Sequence, residues 1–447
     1  MGKQSESVED IFTEEPLYQA YLDVEVALAK AQASQGIIPV WAASKIEESA
    51  RIELLDLDRI HDGLDKTGHP LVPIIWELDR VCGEEAGGYI HWGATTQNIT
   101  QTGKLLVVKK CHQVFLSEMA KLLEVFAQLA EDTKSFVMPG RTHGQHAVPA
   151  TFGYKVAVWI DEILRHAERL KGCEKRVFVV MLGGGGGTMA SVGREGLRTQ
   201  DLMAEELGME SMTMPSRVIG DHLTEYVLLF AMFAATSNKI AREIYTLMKQ
   251  EFGEVEEPVP LGTVGSSTMP QKRNPRLCQE ILAWSTEVRT YVPMALESMQ
   301  TEHEADGSTG KMIDVALDRS CILSYRIITA LREIFEDIKV FPERMRSNLD
   351  LSGGLIMSER IMLELGREMG RQRAHDVVYE AAQRSVNENI PFAKILAEEP
   401  EITSRLSESD LEELLDPEHY TGLCRHFAET FAEKARQEAA LILQRIG

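Results

Sequence analysis

Apolar residues recur along most of the chain at intervals of three and four, the spacing of one face of an α-helix. From Pro16 to Gly36, Leu17, Tyr21, Val24, Leu28 and Ala29 alternate with polar positions, and Gly36 with Pro39 beyond it supplies a stop. The same periodicity predicts helices over residues 102–135, 149–180, 216–252, 275–300 and 315–338. Several of these exceed about 25 residues, long for globular helices and suited to a bundle. Strand signals are sparse and short. The expected fold is therefore all-α and in three parts. Residues 1–108 form a helical N-terminal domain, 109–345 a central long-helix bundle, and 346–447 a helical C-terminal domain opened by the composition shift at Asn348–Gly354.

A chain of 447 residues exceeds the size at which one core stops growing, and 44% hydrophobic with 26% charged residues is an ordinary globular balance. The formal net charge of −22 argues against nucleic acid as a partner, since phosphate contacts need clustered Lys and Arg. No run of apolar residues is long enough for a membrane span and no signal segment opens the chain, so a cytoplasmic location and no membrane partner are expected. The six cysteines are scattered with no Cys-X-X-Cys pair, so they read as reduced, buried small hydrophobes, and Asn98-Ile99-Thr100 as a coincidental sequon. The run Gly183–Gly187 lacks the Lys-Ser/Thr and the preceding strand of a phosphate loop. It reads as a close-approach turn between helices.

Candidate chemistry concentrates in Gly265-Ser266-Ser267-Thr268-Met269-Pro270-Gln271-Lys272-Arg273-Asn274-Pro275. Gly265 and the prolines exclude a regular helix, so the segment is a shaped loop. Its ammonium and carboxamide suit a substrate carboxylate, and a hydroxyl can do proton chemistry. Two further polar islands interrupt the apolar pattern. One is Tyr89-Ile90-His91-Trp92-Gly93-Ala94-Thr95-Thr96-Gln97-Asn98, and the other Gly140-Arg141-Thr142-His143-Gly144-Gln145-His146. A metal reading of His143 and His146 competes. However, Gly144 lies between them and no Asp, Glu or Cys accompanies them, so no metal is expected.

The loop resembles the Gly-Ser-Ser-X-Met-Pro-X-Lys-X-Asn signature of the fumarase/aspartase superfamily, and with the two islands the resemblance spans nearly the whole chain. His91–Gln97, Gly370–His375 and Leu414–Tyr420 are similar to the 3-carboxymuconate cycloisomerase branch, beside the adenylosuccinate lyases. The resemblance implies the three-part helical fold, no cofactor, a small dicarboxylate substrate, and a homotetramer whose sites are each shared by three subunits. It implies Ser266 as the base and His143 as the leaving-group acid. Lys272, Asn274, Thr95, Thr96, Gln97, Thr142, His69 and His91 would contact substrate. The negative charge left on the substrate would be held as an aci-carboxylate.

The chain also departs from the pattern. Gln279 stands where a glutamate usually orients the catalytic histidine, with Glu280 next to it; Asn98 replaces a common aspartate; and Ala305 in His303-Glu304-Ala305-Asp306 replaces an arginine. The Arg-Tyr pair that contacts nucleotide in adenylosuccinate lyases is not found in Ser7–Phe12, which disfavours adenylosuccinate. Three readings stay open: β-elimination of fumarate from an N-succinyl or S-succinyl compound, cycloisomerisation, and a catalytically silent helical bundle. The joint presence of Ser266, Lys272, Asn274 and His143 disfavours the last. An imidazole at 143, where the cycloisomerases carry an aromatic residue, favours the first.

Overall fold

The computed structural model describes residues 8–259, 262 and 266–446. The expected helical class holds. Nineteen α-helices account for most of the described residues, with three two-stranded sheets between them. The long helices are Thr96–Asp132, Phe152–Val177, Asp221–Leu247, Arg276–Glu297 and Gly307–Glu336. Several start at positions other than the apolar periodicity suggests. The first begins at Thr96, inside the polar island, where Thr96, Gln97 and Asn98 give the apolar periodicity nothing to register.

By proximity of its residues the chain divides into two compact units, and each long helix supplies residues to both. One unit takes Met1–Leu116, His166–Ala235 and Trp284–Ile327. Its core packs Phe115 edge-on against Phe230 and Phe233, with ring centroids 5.0 Å apart in both pairs. Such aromatic contacts add to the area term of burial. Here too lies the helix Glu14–Ser34, whose buried face includes Tyr21, Val24 and Leu28 and also two polar residues, Glu25 and Gln32.

The other unit takes Ser117–Arg165, Thr236–Ala283 and Ile328–Gly447. Phe126 meets Phe335 at 4.8 Å, and Ile361, Leu365, Val377, Phe392 and Ile395 form a second cluster among the C-terminal helices. The polar island around His143 is a β-hairpin. Val137–Thr142 pairs antiparallel with Gln145–Thr151, delaying the next helix to Phe152. The glycine run differs from expectation as well, since it follows a short strand, Val179–Val180, that pairs in parallel with Glu210–Ser211. The close-approach reading nonetheless fits it. A Cβ on Gly183 would sit 2.0 Å from the carbonyl oxygen of Pro215, so only glycine fits. All six cysteines are buried free thiols. Among the described residues no helix is long and apolar enough to cross a membrane.

Candidate active site

The predicted residues fall into two groups, one in each unit. In the first unit, Thr95 precedes the helix Thr96–Asp132 and Thr96 and Gln97 open it. His69 lies at the head of the helix Val72–Cys82, where its Nδ1 accepts the backbone N–H groups of Leu71 (3.3 Å) and Val72 (3.1 Å). A nitrogen that accepts carries no proton, so the ring's proton sits on Nε2, 3.3 Å from Thr96 Oγ1. His69 is thus a fixed-tautomer donor that brings the first island together.

Gln97 is already engaged. Its amide donates to Gln101 Oε1 and to the Arg217 carbonyl, both at 2.9 Å, and accepts from Arg217 Nε at 3.0 Å. Arg217, invisible to sequence motifs, and Gln97 line a cleft of about 350 Å³ with Thr100, Lys104 and Lys311. Asn98 is wholly buried, and its Oδ1 accepts from Thr95 N–H (3.0 Å) and Gly184 N–H (3.1 Å). A neutral amide satisfies both donors where the family usually has a carboxylate. Burial also removes the side chain from any glycan acceptor role.

His91 differs from the other island histidines. Its backbone is left-handed (φ 59°), and Glu25, only 3% exposed, grips it twice. Oε2 accepts the His91 backbone N–H at 3.1 Å and Oε1 lies 2.7 Å from Nδ1. Gln32, two turns further along the same helix, donates to the Trp92 carbonyl at 2.7 Å. Sequence reasoning missed Glu25. The available signal was a carboxylate on the apolar stripe Tyr21-Glu25-Leu28-Gln32, at spacings that share one helix face.

In the second unit, Thr142 and His143 are exposed at the hairpin tip. Thr142 pairs with Gln145 across a two-residue loop in which His143 (φ 52°) and Gly144 (φ 77°) are both left-handed, the pattern of a type I′ turn. Left-handed non-glycine residues are uncommon, and among the described residues three of five are histidines: His91, His143 and His303. Such backbone persists where its surroundings over-determine it, often at functional sites.

Arg141 anchors the hairpin. Its guanidinium binds both oxygens of the fully buried Glu254, at 3.0 and 2.6 Å, and lies over the Phe252 ring, 4.9 Å from the centroid. Asn348 donates to the same carboxylate at 2.7 Å. His146, opposite Arg141 in the hairpin, is held below the ordinary imidazole range by burial and then by that cation.

Three residues on from Glu254, the buried Glu257 accepts the backbone N–H groups of Leu277 (3.0 Å) and Cys278 (3.2 Å), in the first turn of the helix Arg276–Glu297. These bonds tie Glu257 to the head of the helix that follows the signature loop. Burial nonetheless pushes the Glu257 carboxyl above its ordinary range, against the pull of those donors. Within the loop, Ser266 Oγ accepts the N–H groups of Thr268 at 3.3 Å and Met269 at 3.1 Å. Lys272 is exposed and Asn274 half-buried; Gly265 lies outside the described residues. Gln279 is exposed, and the neighbouring Glu280 is taken by Arg276 at 3.0 Å.

The chain is similar to known proteins over most of its length. The family described as "Lyase" matches residues 1–290, and the one described as "Adenylosuccinate lyase C-terminus" matches 354–431. An adenylosuccinate lyase of Methanothermobacter thermautotrophicus is 37% identical over 430 residues, covering 96% of both chains. An N-acetyl-S-(2-succino)cysteine lyase of Enterococcus italicus is 36% identical over 414 residues, covering 93% of this chain and 91% of the relative. The solved 3-carboxy-cis,cis-muconate lactonizing enzyme of Pseudomonas putida superposes with a TM-score of 0.88 at 31% identity, over 98% of this chain and 97% of its own. The chain belongs to the fumarase/aspartase superfamily, as an enzyme of its fumarate lyase family.

Proposed function

We propose that the protein releases fumarate by β-elimination from an N-succinyl or S-succinyl compound. The observation that carries this reading is the signature loop itself. Ser266 Oγ accepts two backbone N–H groups, the arrangement that would stabilise an alkoxide, and Lys272 and Asn274 follow on the same loop. Ser266 would take the proton from the carbon next to one carboxylate. Lys272 and Asn274, with hydroxyls of Thr95, Thr96 and Thr142 and the Nε2–H of His69, would hold the resulting aci-carboxylate. Gln97 would contribute by holding Arg217 at the cleft. A leaving amine or thiolate then needs a proton, which an imidazole is suited to give. His143 holds the acid's place in the family pattern, without the glutamate that usually accompanies it.

Thr142, His143 and Lys272 are exposed on this chain. This supports the reading that each site is completed by other copies in a homotetramer. Cycloisomerisation is the second reading, favoured by the 31% identity to the lactonizing enzyme.

A fumarate-absorbance screen over N-succinyl and S-succinyl amino acids, adenylosuccinate and 3-carboxymuconate tests the choice. Fumarate from a succinylated amino acid is expected. Lactone from carboxymuconate, with no fumarate from any compound, overturns it.

A further inference from the structure

The cleft of about 350 Å³ in the first unit carries charges that the elimination chemistry leaves unused. Along the helix Thr96–Asp132 its wall is Gln97, Thr100, Gln101 and Lys104, spaced three and four apart on one helix face. Seven residues of helix rise about 10 Å, so the cleft runs that far from the helix start. Thr95, Thr96 and His69, the groups proposed to hold the aci-carboxylate, stand at that start. The space beyond them is where a departing group fits. Ala305 lines the cleft too, so the position at which the family pattern has an arginine carries no charge here.

Arg217 reaches the cleft from a different segment. Its Nε donates to Gln97 Oε1 at 3.0 Å, and its Nη1 donates to the carbonyl of Gly185, in the glycine run, at 2.7 Å. A guanidinium has five N–H groups, so three remain on Nη1 and Nη2, and no carboxylate among the described residues takes them. Lys311, exposed near the start of the helix Gly307–Glu336, likewise has no acidic partner among the described residues. The other charges of the cleft are engaged. Lys104 binds both oxygens of Asp318, at 2.9 and 2.8 Å, and also acts on Asp314. Asp306 accepts the Ser308 N–H at 2.7 Å. In a chain of net charge −22, two cations without acidic partners in one cleft call for an anion from outside.

We propose that Arg217 and Lys311 bind a carboxylate carried by the departing amine or thiol, and so select substrates whose leaving group is itself an acid. This rests on the β-elimination reading. The succinyl half stays at the helix start, the leaving group extends down the cleft, and its carboxylate meets the guanidinium and the ammonium. Arg217 thereby supplies, from another part of the wall, the cation that Ala305 lacks. Gln97 and the Gly185 carbonyl are its positioning groups, which gives the glycine run a part in specificity. A neutral leaving group would leave both cations unanswered, and a cationic one would be repelled.

The test uses the full-length assembled protein and succinylated compounds in an S-succinyl and an N-succinyl series. The departing groups are 3-mercaptopropionate and β-alanine, the carboxamides of both, and the amines cysteamine and ethylenediamine. Fumarate formation gives the ratio of kcat/KM for each acid over its carboxamide. The wild type should favour the acid by about 10–10²-fold, the worth of a hydrogen bond to a charged group. Arg217→Gln and Lys311→Gln should each bring that ratio down by about tenfold. Arg217→Lys should restore part of it, and Lys311→Glu should turn the preference towards the amine. Lys311 is exposed, so its variants give a reading even where Arg217→Gln fails to fold.

A wild type with no preference for the acid, or variants that lose equally on acid and carboxamide, overturns the proposal. Fumarate from adenylosuccinate but from neither series also overturns it and leaves the elimination reading standing. A wild type that forms no fumarate from any succinylated compound refutes that parent reading, and the result appears before any variant is made.

Discussion

Replacement of Ser266 by alanine tests the core of the proposed chemistry. A serine hydroxyl ionises far above neutrality, so its use as a base requires the alkoxide to be stabilised where it forms. The loop supplies two N–H donors, from Thr268 at 3.3 Å and Met269 at 3.1 Å. Hydrogen bonds to a charged partner contribute about 1.5–3 kcal/mol each, so the pair favours the alkoxide by roughly 3–6 kcal/mol. At about 1.36 kcal/mol per decade this is a factor of roughly 10²–10⁴. The backbone alone is therefore insufficient for a free serine, and the Lys272 ammonium must add its charge. Deleting the hydroxyl should lower kcat by at least ~10²–10⁴-fold, the span of a lost general base. Stability should barely change, because Thr268 and Met269 are exposed and water can replace Oγ as their acceptor. The assay is fumarate formation at saturating substrate, with binding by equilibrium dialysis and thermal unfolding as the fold control. Ser267→Ala, on the exposed neighbour, should retain most activity. A Ser266→Ala enzyme keeping more than a tenth of wild-type kcat would refute the reasoning.

Other expectations follow from single contacts. Lys272→Ala should lower kcat and not only raise KM, and Lys272→Arg should rescue it only in part, since a planar fork does not replace a compact ammonium; steady-state kinetics separate these, and a pure KM effect would make Lys272 a uniform binder. Glu254→Ala strands Arg141 beneath the hairpin and should cost about 3–5 kcal/mol in urea unfolding, as for other broken buried pairs; a loss under about 1 kcal/mol would show that the anchor is dispensable. Burial holds the His222 imidazole below its ordinary range, against the opposing pull of Asp221 and Glu225. The unfolded chain therefore binds this proton first as pH falls through roughly 6.5, so the associated stability is present above that pH and lost below it. Urea midpoints at pH 7.5 and 5.5 should differ less in His222→Leu than in the wild type, and an unchanged difference would assign the pH dependence to other groups.

The helical class was legible in the sequence because a 3.6-residue repeat of apolar positions needs no knowledge of what it packs against. The signature loop was legible because glycine and proline exclude helix locally and its Ser, Lys and Asn stand close in sequence. The His143 hairpin was not, although Gly144 marked a break: Val137–Thr142 and Gln145–Thr151 hold as strands only because they pair with each other. The supporting residues lay further out of reach. Glu25 meets His91 across 66 residues, and Arg141 meets Glu254 across 113. Neither glutamate belongs to a motif, and a charged residue in a helix or strand reads from sequence as solvent-exposed until packing buries it. Sequence thus determined which side chains could do chemistry, since reactivity belongs to residue type. Tertiary structure alone decided which carboxylates hold them and which ring nitrogens stay available, because those depend on contacts between residues the chain order keeps apart.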